Sequence, residues 1–115
     1  MKKYMAVFLG TREAMDAWMA MPDRKEKEKE GMMAWGKWME DHKAAVVDGS
    51  PLGKTMRVGK NGISSVRNDM GAWTVVQAES QEEAAKMFEG HPHFTIFPGE
   101  AVEIMECLPI PGQAR

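Results

Sequence analysis

Two of the chain's three histidines, His91 and His93, flank Pro92 in the stretch GHPHF, residues 90–94. The third, His42, follows two tryptophans in WGKWMEDH and precedes Asp48 in the turn-like stretch VVDGSPLG. A histidine amid tryptophan and methionine is desolvated, which lowers its pKa and favours neutral imidazole. Neutral imidazole is the form a general base or a metal ligand requires. Asp48 lies just past the segment carrying His42, so a carboxylate orienting that imidazole is sterically feasible, although Asp-Gly is also a common turn former. Pro92 biases His91 towards extended backbone angles and ends the preceding helix. A histidine held this way can be aimed into a cleft. His93 points to the same side if the segment is extended. The candidate acid-base residues are therefore His42, Asp48 and His91, with Trp35, Trp38 and His93 as candidate ligand contacts.

Other chemistries find less support. An H-x-H pair can ligate zinc or copper, but a metal site needs a third ligand and supporting hydrogen bonds. The sequence has no C-x-x-C and no H-E-x-x-H, so no metal is expected. Gly49, Gly53, Gly59 and Gly62 fit neither a G-x-G-x-x-G nor a P-loop spacing, and no cofactor is expected. Cys107 falls in an apolar strand, where a buried thiol is usually packing.

The elements that must position these residues follow from periodicity. Tyr4 to Leu9 reads as a strand buried on both faces or nearly so. Thr11 is an N-cap, and Met15, Trp18 and Met19 fall at helical spacing before Pro22. Asp23 is a cap for a second helix, whose RKEKEKE start pairs Arg24 with Glu28 and Glu26 with Lys29 on a solvated face. Met32, Trp35, Trp38, Met39, His42, Ala45 and Val46 then share one core-facing stripe. Asn61-Gly62 signals a hairpin with arms Thr55 to Gly59 and Ile63 to Arg67, polar enough to project from a sheet. Residues 72–78 read as a central strand. Ser80 and Glu83 form a capping box, and Gly90 stops that helix. Residues 101–108 supply a last strand ended by Pro109.

This order predicts one α+β domain over residues 1–115, a ferredoxin-like split β-α-β sandwich with an antiparallel sheet and helices on one face. The second sheet face needs cover if Trp73, Val75, Ile104 or Cys107 lie on it. A homodimer with sheets face to face supplies that cover. Net charge is -2 from 15 basic and 17 acidic residues, well mixed, which argues against nucleic acid. No apolar run approaches the roughly 18 residues of a membrane span, and a membrane partner is not expected. A basic start before a short apolar run reads as a strand rather than a signal peptide. With a single cysteine, the chain fits a reducing, cytoplasmic setting.

Four stretches together resemble the YCII-related family of the dimeric α-β barrel superfamily. They are KYMAVFLG, WGKWMEDHKAAVVDGSPLG, AWTVVQAESQEEAAKMFEGHPHF and VEIMECLPI. The resemblance implies a ferredoxin-like subunit, a face-to-face dimer, and a cavity between sheet and helices housing a histidine- and aspartate-based site. The chain departs from the family pattern at GHPHF, where no aspartate precedes His91. Three functions compete on these grounds. One is a small-molecule enzyme with histidine acid-base chemistry in an aromatic cavity. Another is a non-catalytic homodimeric module that binds a small organic ligand. The third is cofactor-free oxygenation around Trp35, Trp38 and His42.

Overall fold

The computed structural model describes residues 1–112. Strand β1 (Lys2–Leu9) buries Tyr4, Ala6 and Phe8 and leaves Met5, Val7 and Leu9 half-buried. In the single chain the strand is fully covered on one face and half-covered on the other, short of the burial on both faces that its apolar run suggests. Helix α1 (Arg12–Met19) starts where the Thr11 side chain accepts a hydrogen bond from the Ala14 N–H at 3.1 Å. Helix α2 (Arg24–Asp41) begins at Asp23, whose side chain makes no capping bond. Its solvated start carries the Arg24–Glu28 ion pair at 3.4 Å.

Helix α2 ends earlier than its apolar stripe implied. His42 is its C-cap, and Val46–Pro51 forms strand β2. The sequence reading placed Asp48 in a turn and Val46 on the helix. Instead Asp48 lies on an edge strand, next to a register irregularity between Val46 and Asp48. Gly49 is needed there, because a Cβ would stand 2.9 Å from the Trp73 carbonyl oxygen. Strands β3 (Thr55–Gly59) and β4 (Gly62–Val66) form a separate two-stranded hairpin. Its turn is Lys60-Asn61, one residue earlier than the Asn-Gly signal suggested, with Gly62 at φ 113°.

Strand β5 (Met70–Ala78) buries Ala72, Thr74, Val76 and Ala78. Helix α3 (Gln81–Lys86) is capped by Ser80, whose hydroxyl accepts from the Glu83 N–H at 3.1 Å. Glu83 returns a bond to the Glu79 N–H, also at 3.1 Å, which completes the expected box one residue early. A single-turn helix α4 (Pro92–Thr95) leads to strand β6 (Ala101–Glu106).

The main sheet runs β2-β5-β1-β6, with every neighbouring pair antiparallel. The β1-to-β2 crossover through α1 and α2 skips β5, and the β5-to-β6 crossover through α3 and α4 skips β1. This is the ferredoxin-like split β-α-β arrangement. Helices α2 and α3 pack on the face bearing Tyr4, Ala6 and Phe8, where Trp38, Phe88 and Ala84 complete the core. The thinnest dimension is 18 Å, as two layers require. Pairing puts Met5, Val7, Trp73, Val75 and Met105 on the other, open face. Of the residues whose place on that face would call for cover, Trp73 and Val75 lie on it, whereas Ile104 pairs with Ala6 and packs against the core. One chain forms no closed barrel. No helix of the described residues is long and apolar enough to cross a membrane.

Candidate functional site

A cleft of about 930 Å³ opens between the end of the sheet, helices α1 and α2, and the root of the hairpin. The sequence dictates its apolar wall. Met15, Trp18 and Met19 come from one face of α1, and Met32, Trp35 and Met39 from the stripe of α2. Phe8 stacks on Trp35 with centroids 5.0 Å apart and planes 26° from parallel. Phe97 lies against both Trp18 and Trp35, at 5.6 and 6.0 Å. Gly31 lets Phe97 approach α2, since a Cβ there would be 2.5 Å from its ring. The polar groups at the mouth include Arg12 and Arg67. Both face Asp16, at 4.0 and 3.8 Å, in exposed pairs that hold little energy and leave the guanidinium groups available.

His93 belongs to this wall. Its Nε2–H donates to the Leu9 carbonyl at 2.8 Å and the Ala101 carbonyl at 3.1 Å, pinning the ring where β1 ends and β6 begins. That bonding fixes the proton on Nε2 and leaves Nδ1 as an acceptor. Burial pushes the His93 pKa down, partly offset by the two carbonyls. Among the described residues, the only buried side-chain nitrogen or oxygen lacking a partner belongs to His91. Nδ1 of His93 makes no hydrogen bond among the described residues, and the ring is largely enclosed, with 9% of the residue exposed. Gly99 makes room for this ring, because any Cβ there would collide with it.

His91 is fully enclosed and does not line the cleft. Its Nδ1 accepts the His93 backbone N–H at 2.9 Å, so His91 is the N-cap of α4 with Pro92 in the first turn. Its ring stands edge-on to Trp35 at 4.5 Å and 86°. Its pKa is lowered to about 3, by burial first and then by the neighbouring His93 and His42.

The expected His42–Asp48 pair is not assembled. His42 is half-buried, stacks on Trp38 at 4.5 Å, and donates from Nδ1 to the Trp38 carbonyl at 2.8 Å. Asp48 is exposed and accepts the Gly49 N–H at 2.8 Å. Its pairing opposite Val75 turns it to the open sheet face. The physical reason is the β2 strand: an edge strand, unlike a turn, alternates its side chains between faces. Trp38 is buried behind the cleft and donates its indole N–H to the Met87 carbonyl at 2.8 Å. Of the six sequence candidates, Trp35 and His93 line the cleft. Sequence reasoning missed Phe8, Trp18, Phe97 and Arg67 as cleft residues. The helical spacing of Trp18 was visible, but nothing in the sequence marked Phe97. Among the described residues, no group of three His, Cys, Asp or Glu side chains is placed to hold a metal.

No protein-family model matches the chain, and no curated protein matches it in sequence. Among solved structures, it is similar to the 5-chloro-2-hydroxyhydroquinone dehydrochlorinase TftG of Burkholderia phenoliruptrix AC1100, in complex with 2,5-dihydroxybenzoquinone. The likeness covers 90% of each chain at 15% identity, with a TM-score of 0.53. At that identity the likeness is one of fold, the ferredoxin-like α+β arrangement described above.

Proposed function

We propose that the cleft binds a flat, anionic aromatic or quinonoid molecule and that His93 acts on it as a general base. The single observation that carries this reading is the His93 ring. Burial disfavours its charged form, its Nε2–H is spent on two carbonyls, and Nδ1 makes no hydrogen bond among the described residues, at the wall of an aromatic-lined cleft. Phe8, Trp18, Trp35 and Phe97 suit a planar ring, and Arg12 and Arg67 suit a phenolate or enolate oxygen. Nδ1 would take a proton from the bound molecule and return it elsewhere, a proton transfer or isomerisation. The dihydroxybenzoquinone bound by the fold neighbour is a molecule of this shape and charge. We place the chain with YCII-like proteins of the cytoplasm. We also propose that it works as a homodimer through the open sheet face.

Binding without turnover is a second reading. It is favoured by the absence of any carboxylate bonded to His93, His91 or His42 among the described residues.

The test is titration with 2,5-dihydroxybenzoquinone, followed by quenching of tryptophan fluorescence and by exchange of the ligand's ring protons in deuterium oxide. Saturable quenching with exchange that His93→Gln abolishes supports the enzyme reading. Quenching without exchange leaves the binding module. A ligand that never quenches removes both.

A further inference from the structure

The hairpin carries an apolar face that nothing among the described residues covers. Val58 pairs with Ile63, and Met56 with Ser65, so Met56, Val58 and Ile63 project from one side of the ribbon. They are 64%, 77% and 68% exposed. A lone two-stranded ribbon is marginal in water. Among the described residues this one pairs with no other strand, and its root lies beside the cleft rather than on the open sheet face.

Charge is its second feature. From Lys54 to Arg67 the arm holds four cations and no carboxylate, in a chain of net charge -2, so the rest of the chain is acidic. Among the described residues Arg67 pairs with Asp16, whereas Lys54, Arg57 and Lys60 form no ion pair.

The complementary surface is the open face of the main sheet. Its centre is apolar, with Val7 and Trp73 directly paired. Its rim is acidic: Glu103 on edge strand β6 lies opposite Val7, and Asp48 on edge strand β2 lies opposite Val75. Neither carboxylate forms an ion pair among the described residues. Because both sit on edge strands, they leave the centre free for sheet-on-sheet contact and offer the rim to something basic.

We propose that the hairpin is an arm that clasps a second copy of this chain. Its apolar face extends the contact between open sheet faces, Lys60 at the tip of the arm meets a rim carboxylate, Glu103 or Asp48 of the partner subunit, and Arg57, on the other side of the ribbon, adds longer-range attraction. The inference rests on the homodimer proposed above and adds to it the element that locks the two chains. Opposite charges placed this way also fix the orientation of the pair, since the arm finds carboxylates only at the rim.

Sedimentation equilibrium of the full chain tests this, with circular dichroism confirming the fold of each variant. The wild type should be a dimer. Val58→Ser with Ile63→Ser, both on the exposed ribbon, should raise the dimer Kd at least tenfold. Arg57→Glu with Lys60→Glu should weaken the dimer at low salt, and adding Asp48→Lys with Glu103→Lys should restore it. If Val7→Asp splits the dimer while the arm variants leave its Kd unchanged, the dimer stands and the arm proposal falls. A monomeric wild type at 100 micromolar (on the order of the protein concentrations where weak association shows) overturns both. Arm-dependent binding of a monomer to phosphatidylglycerol vesicles would assign the arm a different occupant and overturn the proposal.

Discussion

The backbone N–H of His93 donates to Nδ1 of His91 across 2.9 Å. One histidine caps the single turn of α4, and the next reaches from that turn to the ends of β1 and β6. Pro92 sits at the first helical position, where its missing N–H is not needed. The bond fixes the His91 proton on Nε2, which is buried with no hydrogen-bond partner. The two rings thus divide their work: His91 holds the turn from inside the core, and His93 ties that turn to the ends of β1 and β6 at the cleft wall.

Acid should destabilise the fold through His91. Its folded pKa of about 3 lies below the ordinary 6.5, so the unfolded chain binds a proton that the folded chain refuses. The associated stability is fully present above pH 6.5 and is lost as pH falls towards about 3. The loss is up to about 1.4 kcal/mol per pH unit. His91→Asn keeps an acceptor for the His93 N–H but removes the titration. Urea melts from pH 7.5 to 4 should give a steeper decline for the wild type, and parallel curves would refute the assignment.

Two glycines in α2 should respond oppositely to alanine. Nothing lies within 4 Å of a Cβ at Gly36, so Gly36→Ala should gain roughly 0.5–1 kcal/mol of helix propensity. At Gly31 the added methyl must displace the Phe97 ring. Gly31→Ala should therefore lose that gain to overpacking, which typically amounts to about 1–3 kcal/mol, and should alter ligand affinity through the moved wall of the cleft. Thermal melts of the two variants make the comparison. Equal stabilisation would mean that Phe97 yields freely.

The sequence made some of this architecture readable and hid other parts for physical reasons. The capping box at Ser80 and the Thr11 cap are local devices, and both form. Strand β2 was hidden because Asp48, Gly49, Ser50 and Pro51 are all turn formers. What makes them a strand is a neighbour distant in sequence, β5, whose Trp73 and Thr74 crowd Gly49. The apolar stripe of α2 continues in the sequence through Val46, but the helix ends at Asp41 and Asp48 belongs to strand β2, so His42 and Asp48 do not share one helix end. The cleft shared this fate. Trp35 was visible from its own helix, whereas Phe97 enters only through the space that Gly31 leaves.

Trp35 and Trp38 looked alike in the sequence, and the structure gives them separate duties that substitution should expose. Trp38 is 7% exposed, donates to the Met87 carbonyl, and is flanked by His42 and His91, but it does not line the cleft. Trp38→Ala should therefore destabilise the fold by about 3–5 kcal/mol. Trp38→Phe should lose mainly the indole hydrogen bond, about 1–2 kcal/mol with the Met87 carbonyl left unpaired. Ligand affinity at a temperature where Trp38→Phe is folded should stay near that of the wild type. Trp35 is half-buried and stacks on Phe8 at the cleft wall. Trp35→Leu should keep most of the stability, because one side of the ring already meets open space, yet it should weaken binding of a planar ligand at least tenfold. Chemical denaturation and ligand titration on the same two proteins measure both axes. Loss of affinity in Trp38→Phe together with full affinity in Trp35→Leu would place the ligand elsewhere than in this cleft.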